Sequence, residues 1–167
     1  MKEKSEVNAL HDLGLPDLAA VLLLNNAHAK ETSWLDEERL AALLRMAFYA
    51  RGIDGGATAF LIALGHGAAY DNPNFAWFKE SGKPFVYIDR VVVAEAARGM
   101  GFARLLYEDL FAAALQSGHD RAVCEVNIDP PNPASDAFHA AVCFESVGQA
   151  TIANGTKTVH YFEKILR

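Results

Sequence analysis

Two rhythms of apolar residues run through the chain. Across Gly101–Gln116, Phe102, Leu106, Leu110 and Ala113 fall on one face of a helix, and Gly118 stops it. In "RAVCEVNI", Ala122, Cys124, Val126 and Ile128 alternate with their neighbours and so share one side of a strand. The run "FVYIDRVVV", Phe85–Val93, reads as a second strand, with Tyr87, Asp89, Val91 and Val93 on a common face. Helix starts are marked by residue chemistry. Pro16 and Asp17 open a helix to about His28, because proline suits the first helical position and an acid the positive end of the dipole. Ser33–Asp36 has capping-box spacing ahead of "EERLAALLRMA", and Asn132 followed by Pro133 begins a short helix. Asp54–Gly55–Gly56 between two β-prone runs predicts a hairpin, since glycine accepts positive φ without steric cost. Glu6–Leu10 is a candidate first strand, and Phe144–Thr151 and Thr156–Leu166 are closing strands. Ala68–Pro84 reads as a polar, aromatic loop. The order β, α, α, β, β, β, α, β, α, β, β makes one α/β domain over residues 1–167, unbroken by repeats or linkers.

Composition narrows the classes. Of 167 residues, 51% are apolar and 22% charged, which is a globular balance with enough apolar mass for a core. The longest apolar run, Leu18–Leu24, is too short to span a bilayer, and "MKEKSEVN" lacks the apolar centre of a signal peptide. A cytoplasmic protein without a membrane partner is expected. The net charge of −6, with no basic run, argues against a nucleic-acid partner. Cys124 and Cys143 form no disulfide framework. His139 and Cys143 have i, i+4 spacing but no further ligands, so no metal is assigned; His66 and His119 have no partner spacing either.

Candidate chemistry concentrates in "VVVAEAARGMGFARLLYEDL", Val91–Leu110, where a strand ends and two glycines open a helix. Backbone N–H groups at such an end, with no bulky side chain before them, form an anion site, and Arg98 adds a charge-assisted contact to phosphate. The glycines equally suit a plain tight turn. Gly99-Met100-Gly101 is not a dinucleotide fingerprint, because Arg104 stands where a third glycine or alanine belongs. Gly82-Lys83-Pro84 lacks the remainder of a P-loop.

The run Arg98-Gly99-Met100-Gly101-Phe102-Ala103 resembles the signature Arg/Gln-x-x-Gly-x-Gly/Ala of the GNAT N-acetyltransferase superfamily, and the order of elements resembles that family along nearly the whole chain. A second stretch, "NPASDAFHAAVCF", keeps the spacing of the family's Asn-x-x-Ala, Tyr and Gly-Phe segment. Asn132 matches, Ser135 replaces the alanine, His139 the tyrosine, and Cys143-Phe144 the Gly-Phe pair. The resemblance implies a GNAT-like mixed, mostly antiparallel central sheet flanked by helices, its fourth and fifth strands splayed around an acyl-CoA cleft. It implies acetyl-CoA as cofactor, with the pyrophosphate on Arg98, Gly99, Met100, Gly101, Phe102 and Ala103 and the pantetheine on Val91 and Val93. Asn132 and Ser135 join the same binding set, and the Val93 amide is the oxyanion donor. Dimers formed through the last strands are common in that family, and "KTVHYFEKIL" suits such a contact.

The implied activity is transfer of an acetyl group to a primary amine of a small molecule, amino acid or peptide by direct attack. His139 takes the position of the residue that protonates the leaving thiolate, and an imidazole of pKa about 6.5 can supply a proton near neutrality. It shares a helical stripe with Asn132, Ser135 and Cys143, which also reads as a solvated face or a cofactor contact. Asp89 is the candidate base; it also reads as the buried partner of Arg90 or Arg121. Glu125 and Asn127 rank below it. Asn25, Asn26 and His28 in the helix joint, with Tyr70, Phe75, Trp77 and Phe78 in the aromatic stretch, are the acceptor-binding candidates; the rings hold an amine or simply pack. The altered tyrosine position keeps a second reading open, an acyl-CoA-binding sensor that transfers nothing.

Overall fold

The computed structural model describes residues 9–167. Its strands are β1 (His11–Asp12), β2 (Tyr49–Ile53), β3 (Ala59–Gly65), β4 (Val86–Val93), β5 (Arg121–Asp129), β6 (Glu145–Ile152) and β7 (Lys157–Ile165). Its helices are α1 (Leu18–Ala27), α2 (Ala29–Thr32), α3 (Glu37–Met46), α4 (Pro73–Lys79), α5 (Phe102–Gln116) and α6 (Pro133–Ala141). The seven strands are hydrogen bonded in the order β1-β2-β3-β4-β5-β7-β6. β1–β2, β2–β3, β5–β7 and β6–β7 pair antiparallel, and β4–β5 pairs parallel at Val86↔Ala122 and Tyr87↔Val123. The mixed, mostly antiparallel sheet flanked by helices is the architecture expected from the sequence. Among the described residues no helix is long and apolar enough to cross a membrane.

The chain divides into two compact units, Met1–Leu64 with Ile88–Ala113, and Gly65–Tyr87 with Ala114–Arg167. In the first, the hairpin β2–β3 turns through Asp54–Gly56, with Gly55 and Gly56 at φ 60° and 86°. A Cβ on Gly56 would come within 2.5 Å of Val21, so α1 can lie this close to the turn only over glycine. Ala59–Leu64 of β3 is wholly buried, and Val21, Leu40, Leu106 and Leu110 supply helical parts of the unit's core. The cap of α3 differs from expectation. Asp36, not Ser33, is the N-cap, its Oδ1 accepting from Arg39 N at 2.8 Å. Ser33 has φ 70°, and its carbonyl accepts from Asn25 Nδ2 at 2.9 Å. Part of the expected first strand, Glu6–Asn8, lies outside the described residues; the first described strand is His11–Asp12.

In the second unit β5 pairs with β7 along Arg121–Asp129, and β6 follows β7. The stretch read as a loop contains α4. Asn72 caps it, accepting from Asn74 N at 2.9 Å and Phe75 N at 3.1 Å, and Pro73 occupies the first turn. That placement buries Phe75 and Phe78 with Phe85, Tyr87 and Tyr161.

Candidate functional site

In the first unit, β4 presents Asp89, Val91 and Val93 on its half-buried face, while Ile88, Arg90 and Val92 are buried. A short turn, Glu95–Ala97, carries the chain to Arg98. Gly99 and Gly101 then adopt φ 79° and 84°, a region that disfavours any residue with a Cβ. A Cβ added to either glycine would meet nothing within 4 Å. The backbone there is bare and approachable. Phe102 is buried and fixes the start of α5, Ala103 is half-buried, and Met100 is exposed. Open amides before a helix N-terminus, beside an exposed arginine, are the donor set that a phosphate needs, so the expected pyrophosphate site fits these residues. Nη2 of Arg98 lies 3.3 Å from Nδ1 of His28, which brings a residue nominated for the acceptor against one nominated for the cofactor.

Asp89 is not open. Its carboxylate takes Arg90 Nε at 2.9 Å, with side chains 4% and 6% exposed. Arg90 Nη1 also donates to Asn25 Oδ1 at 2.8 Å and to the Ser33 carbonyl at 3.3 Å. Asn25 Nδ2 bonds Asn26 Oδ1 at 3.0 Å. Asn26 holds the Leu35 backbone from both ends of its amide, accepting from N and donating to O at 2.9 Å each. Of the readings offered by sequence for Asp89, the ion pair with Arg90 is the one present here. Together these groups fasten the α1–α3 joint to β4.

In the second unit the aromatic candidates separate. Phe75 is 1% exposed and meets Tyr70, Phe85 and Tyr87 edge-on at 5.4–5.6 Å. Trp77 stacks on Tyr161 at 4.1 Å, and a Cβ on Gly148 would lie 2.7 Å from its ring. Tyr70 is half-buried. The Tyr161 hydroxyl donates to Asn74 Oδ1 at 2.9 Å, and its pKa is pushed up to about 12 by burial and by the charge of Glu125. The Tyr87 hydroxyl donates to Glu125 Oε2 at 2.7 Å. Glu125 is half-buried on β5 and faces a neutral donor, whereas Asp89 faces a guanidinium. Sequence reasoning ranked Glu125 below Asp89; the alternation that places Tyr87 on the β4 candidate face was the available signal for this hydroxyl.

The α6 stripe turns inward at His139, which is 3% exposed. Its ring stacks on Phe162 at 6.0 Å and meets Phe144 edge-on at 5.2 Å. Nδ1 lies 2.8 Å from the Ser135 carbonyl and 3.3 Å from its hydroxyl. A carbonyl can only accept, so Nδ1 carries the proton. Burial lowers the pKa of His139 and favours the neutral ring. Asn132 caps α6, its Oδ1 accepting from Ser135 N at 3.3 Å. The solvated-face reading therefore fails at His139. Among the described residues no group of three or more His, Cys, Asp or Glu is placed to hold a metal ion.

A model of the acetyltransferase (GNAT) family matches residues 21–143. None of the curated proteins matches the chain in sequence. Solved structures share the fold at low identity. The ribosomal-protein-S18-alanine N-acetyltransferase from Escherichia coli superposes with TM-score 0.68 at 15% identity, over 95% of this chain and 94% of its own. Ard1 from Thermoplasma volcanium gives 0.73 at 14%, over 96% and 99%. The protein yncA from Salmonella typhimurium, solved with its cofactor acetyl-CoA, gives 0.69 at 19%, over 96% and 94%.

Proposed function

The chain belongs to the GNAT acetyltransferase family, and from that premise we propose that it acetylates a primary amine of a small molecule, amino acid or peptide by direct attack. Membership makes it an N-acetyltransferase that uses acetyl-CoA; the acceptor and the residue roles are the proposal. The observation that carries it is the bare turn of Gly99 and Gly101 beside exposed Arg98 at the start of α5. Acetyl-CoA, when bound, supplies an activated thioester carbonyl. Arg98, Gly99, Met100, Gly101, Phe102 and Ala103 hold its pyrophosphate, and Val91 and Val93 offer strand backbone, with the Val93 amide as oxyanion donor.

Three groups were candidates for proton handling, and two keep that role. Asp89 has its charge balanced by Arg90 and serves to hold that pair. Glu125, hydrogen bonded by Tyr87, is the better-supported carboxylate to take the acceptor's proton. His139, nominated as the acid for the leaving thiolate, in its neutral form keeps its proton on Nδ1 against the Ser135 carbonyl, so it can serve the thiolate only from Nε2 after that nitrogen has taken a proton.

The test is thiol release from acetyl-CoA across a panel of amino acids, polyamines and peptides. An alanine peptide belongs in the panel because one solved neighbour is named for acetylating an alanine of ribosomal protein S18. Amine-dependent release supports the proposal. Tight acetyl-CoA binding with no release for any amine favours the sensor reading. Glu125→Gln should lower turnover by about 100-fold or more while keeping acetyl-CoA affinity.

A further inference from the structure

His28 is the group that meets Arg98, with Nδ1 at 3.3 Å from Nη2. A guanidinium has donors only, so Nδ1 must present its lone pair and the ring proton sits on Nε2. The support beneath this ring is firm. The His28 N–H donates to the Asn25 carbonyl at 3.0 Å. Its own carbonyl accepts from Glu31 N at 3.1 Å, Thr32 N at 3.2 Å and Thr32 Oγ1 at 3.0 Å. Asn25 is in turn held by Arg90. Arg98, by contrast, projects from an exposed turn.

The chemical nature of the partner decides what Arg98 can do. A carboxylate would fix the guanidinium as firmly but cancel its charge. Among the described residues no carboxylate forms an ion pair with Arg98. A neutral imidazole orients the guanidinium and leaves its charge for an anion. We infer that His28 is a positioning residue for acetyl-CoA: it holds Arg98 beside the Gly99–Gly101 backbone, primed for the cofactor's phosphates. This moves His28 from the acceptor side, where sequence reasoning put it, to the cofactor side. The inference rests on the reading of the Arg98–Ala103 turn as the pyrophosphate site.

Calorimetric titration of the whole chain with acetyl-CoA tests both levels separately. Arg98→Gln should weaken binding about tenfold or more. His28→Leu, which keeps Arg98 but removes its acceptor, should weaken binding about fivefold through lost preorganisation. His28→Gln offers an amide oxygen in place of Nδ1 and should bind within about twofold of the parent, while His28→Glu pairs with Arg98, cancels its charge and should bind more weakly than His28→Leu. Combined with Arg98→Gln, His28→Leu should add nothing, because the residue it serves is gone. Unchanged affinity in Arg98→Gln overturns the reading of the turn itself. A loss in Arg98→Gln with none in His28→Leu, or with equal losses in His28→Leu and His28→Gln, overturns the inference about His28 and leaves the turn in place.

Discussion

Arg90, inside β4, and Arg98, in the turn that follows it, carry the same guanidinium into opposite surroundings. Arg90 is 6% exposed, faces the Asp89 carboxylate and gives further bonds to Asn25 and Ser33. Arg98 is exposed, and its polar contact is a neutral ring nitrogen. A buried cation must be matched, because leaving water costs it several kcal/mol. An exposed cation need not be, and one held by a neutral acceptor keeps its field for a ligand. The first arrangement holds the joint between helices in place. The second binds. Charge balance at each arginine thus separates an ion matched inside the fold from one proposed for recognition, within one segment of chain.

The largest expected effect comes from unbalancing the interior pair. Arg90→Leu leaves Asp89 buried without its cation and should cost about 3–5 kcal/mol, which for a chain of this size lowers the thermal midpoint by roughly 6–20 °C. An unmoved midpoint would mean that Asp89 and Arg90 do not depend on each other, and the contrast with Arg98 would collapse.

The second effect is at the open turn. Gly101→Val puts a β-branched residue at φ 84° and an isopropyl group in the space before the amides. Strain of about 1–2 kcal/mol is expected in the fold, and acetyl-CoA binding should fall about 100-fold because the donors are covered. A variant that binds acetyl-CoA like the parent would show that the cofactor's phosphates lie elsewhere.

How much of this was legible in the sequence depends on whether local backbone or distant packing sets the feature. Gly99 and Gly101 were legible because positive φ demands a particular residue type, and the signature records that demand. The hairpin at Asp54–Gly56 was legible for the same reason, and the cap at Asn132 because a side-chain acceptor followed by proline suits a helix start. Asn72-Pro73 carries the same start signal as Asn132-Pro133, yet the surrounding aromatics suggested a loop; α4 exists because those rings bury one face of a short helix. The Asp89–Arg90 contact was offered only as one alternative, since neighbouring strand residues ordinarily point to opposite faces. The burial of His139 had no local cue at all. It is set by Phe162 on β7, a residue that no spacing rule connects to the α6 stripe.

His139 gives the third effect and sharpens the comparison with a neutral group enclosed like Arg90. His139→Phe keeps the ring stack but removes the Nδ1 bond to the Ser135 carbonyl, which should cost about 1–1.5 kcal/mol. The pH dependence follows from the lowered pKa. The unfolded chain binds the proton at the ordinary value of 6.5, and the folded chain binds it only below that. Stability is therefore full above pH 6.5 and declines as pH falls from there through the folded value. Part of that decline should vanish in His139→Phe. Thermal melts from pH 7.5 to 5 would show it, and a parallel fall in both proteins would assign the decline to other groups such as His119, whose pKa burial and His66 also lower.

The smallest effect belongs to a neutral contact in a half-exposed place, where neither charge nor deep burial is at stake. Asn132 closes the entrance of α6 by accepting from Ser135 N at 3.3 Å, much as the open turn leaves the entrance of α5 unclosed. Asn132→Ala should cost about 1 kcal/mol, and Asn132→Asp should retain the cap and gain slightly from the helix dipole. Measured by denaturant unfolding, that order of stability, Asp at least equal to Asn and both above Ala, is what a cap produces. Were Ala and Asp equally destabilising, the Asn132 amide would be held by something beyond the Ser135 backbone, and the cap would not be what the contact with Ser135 N supplies.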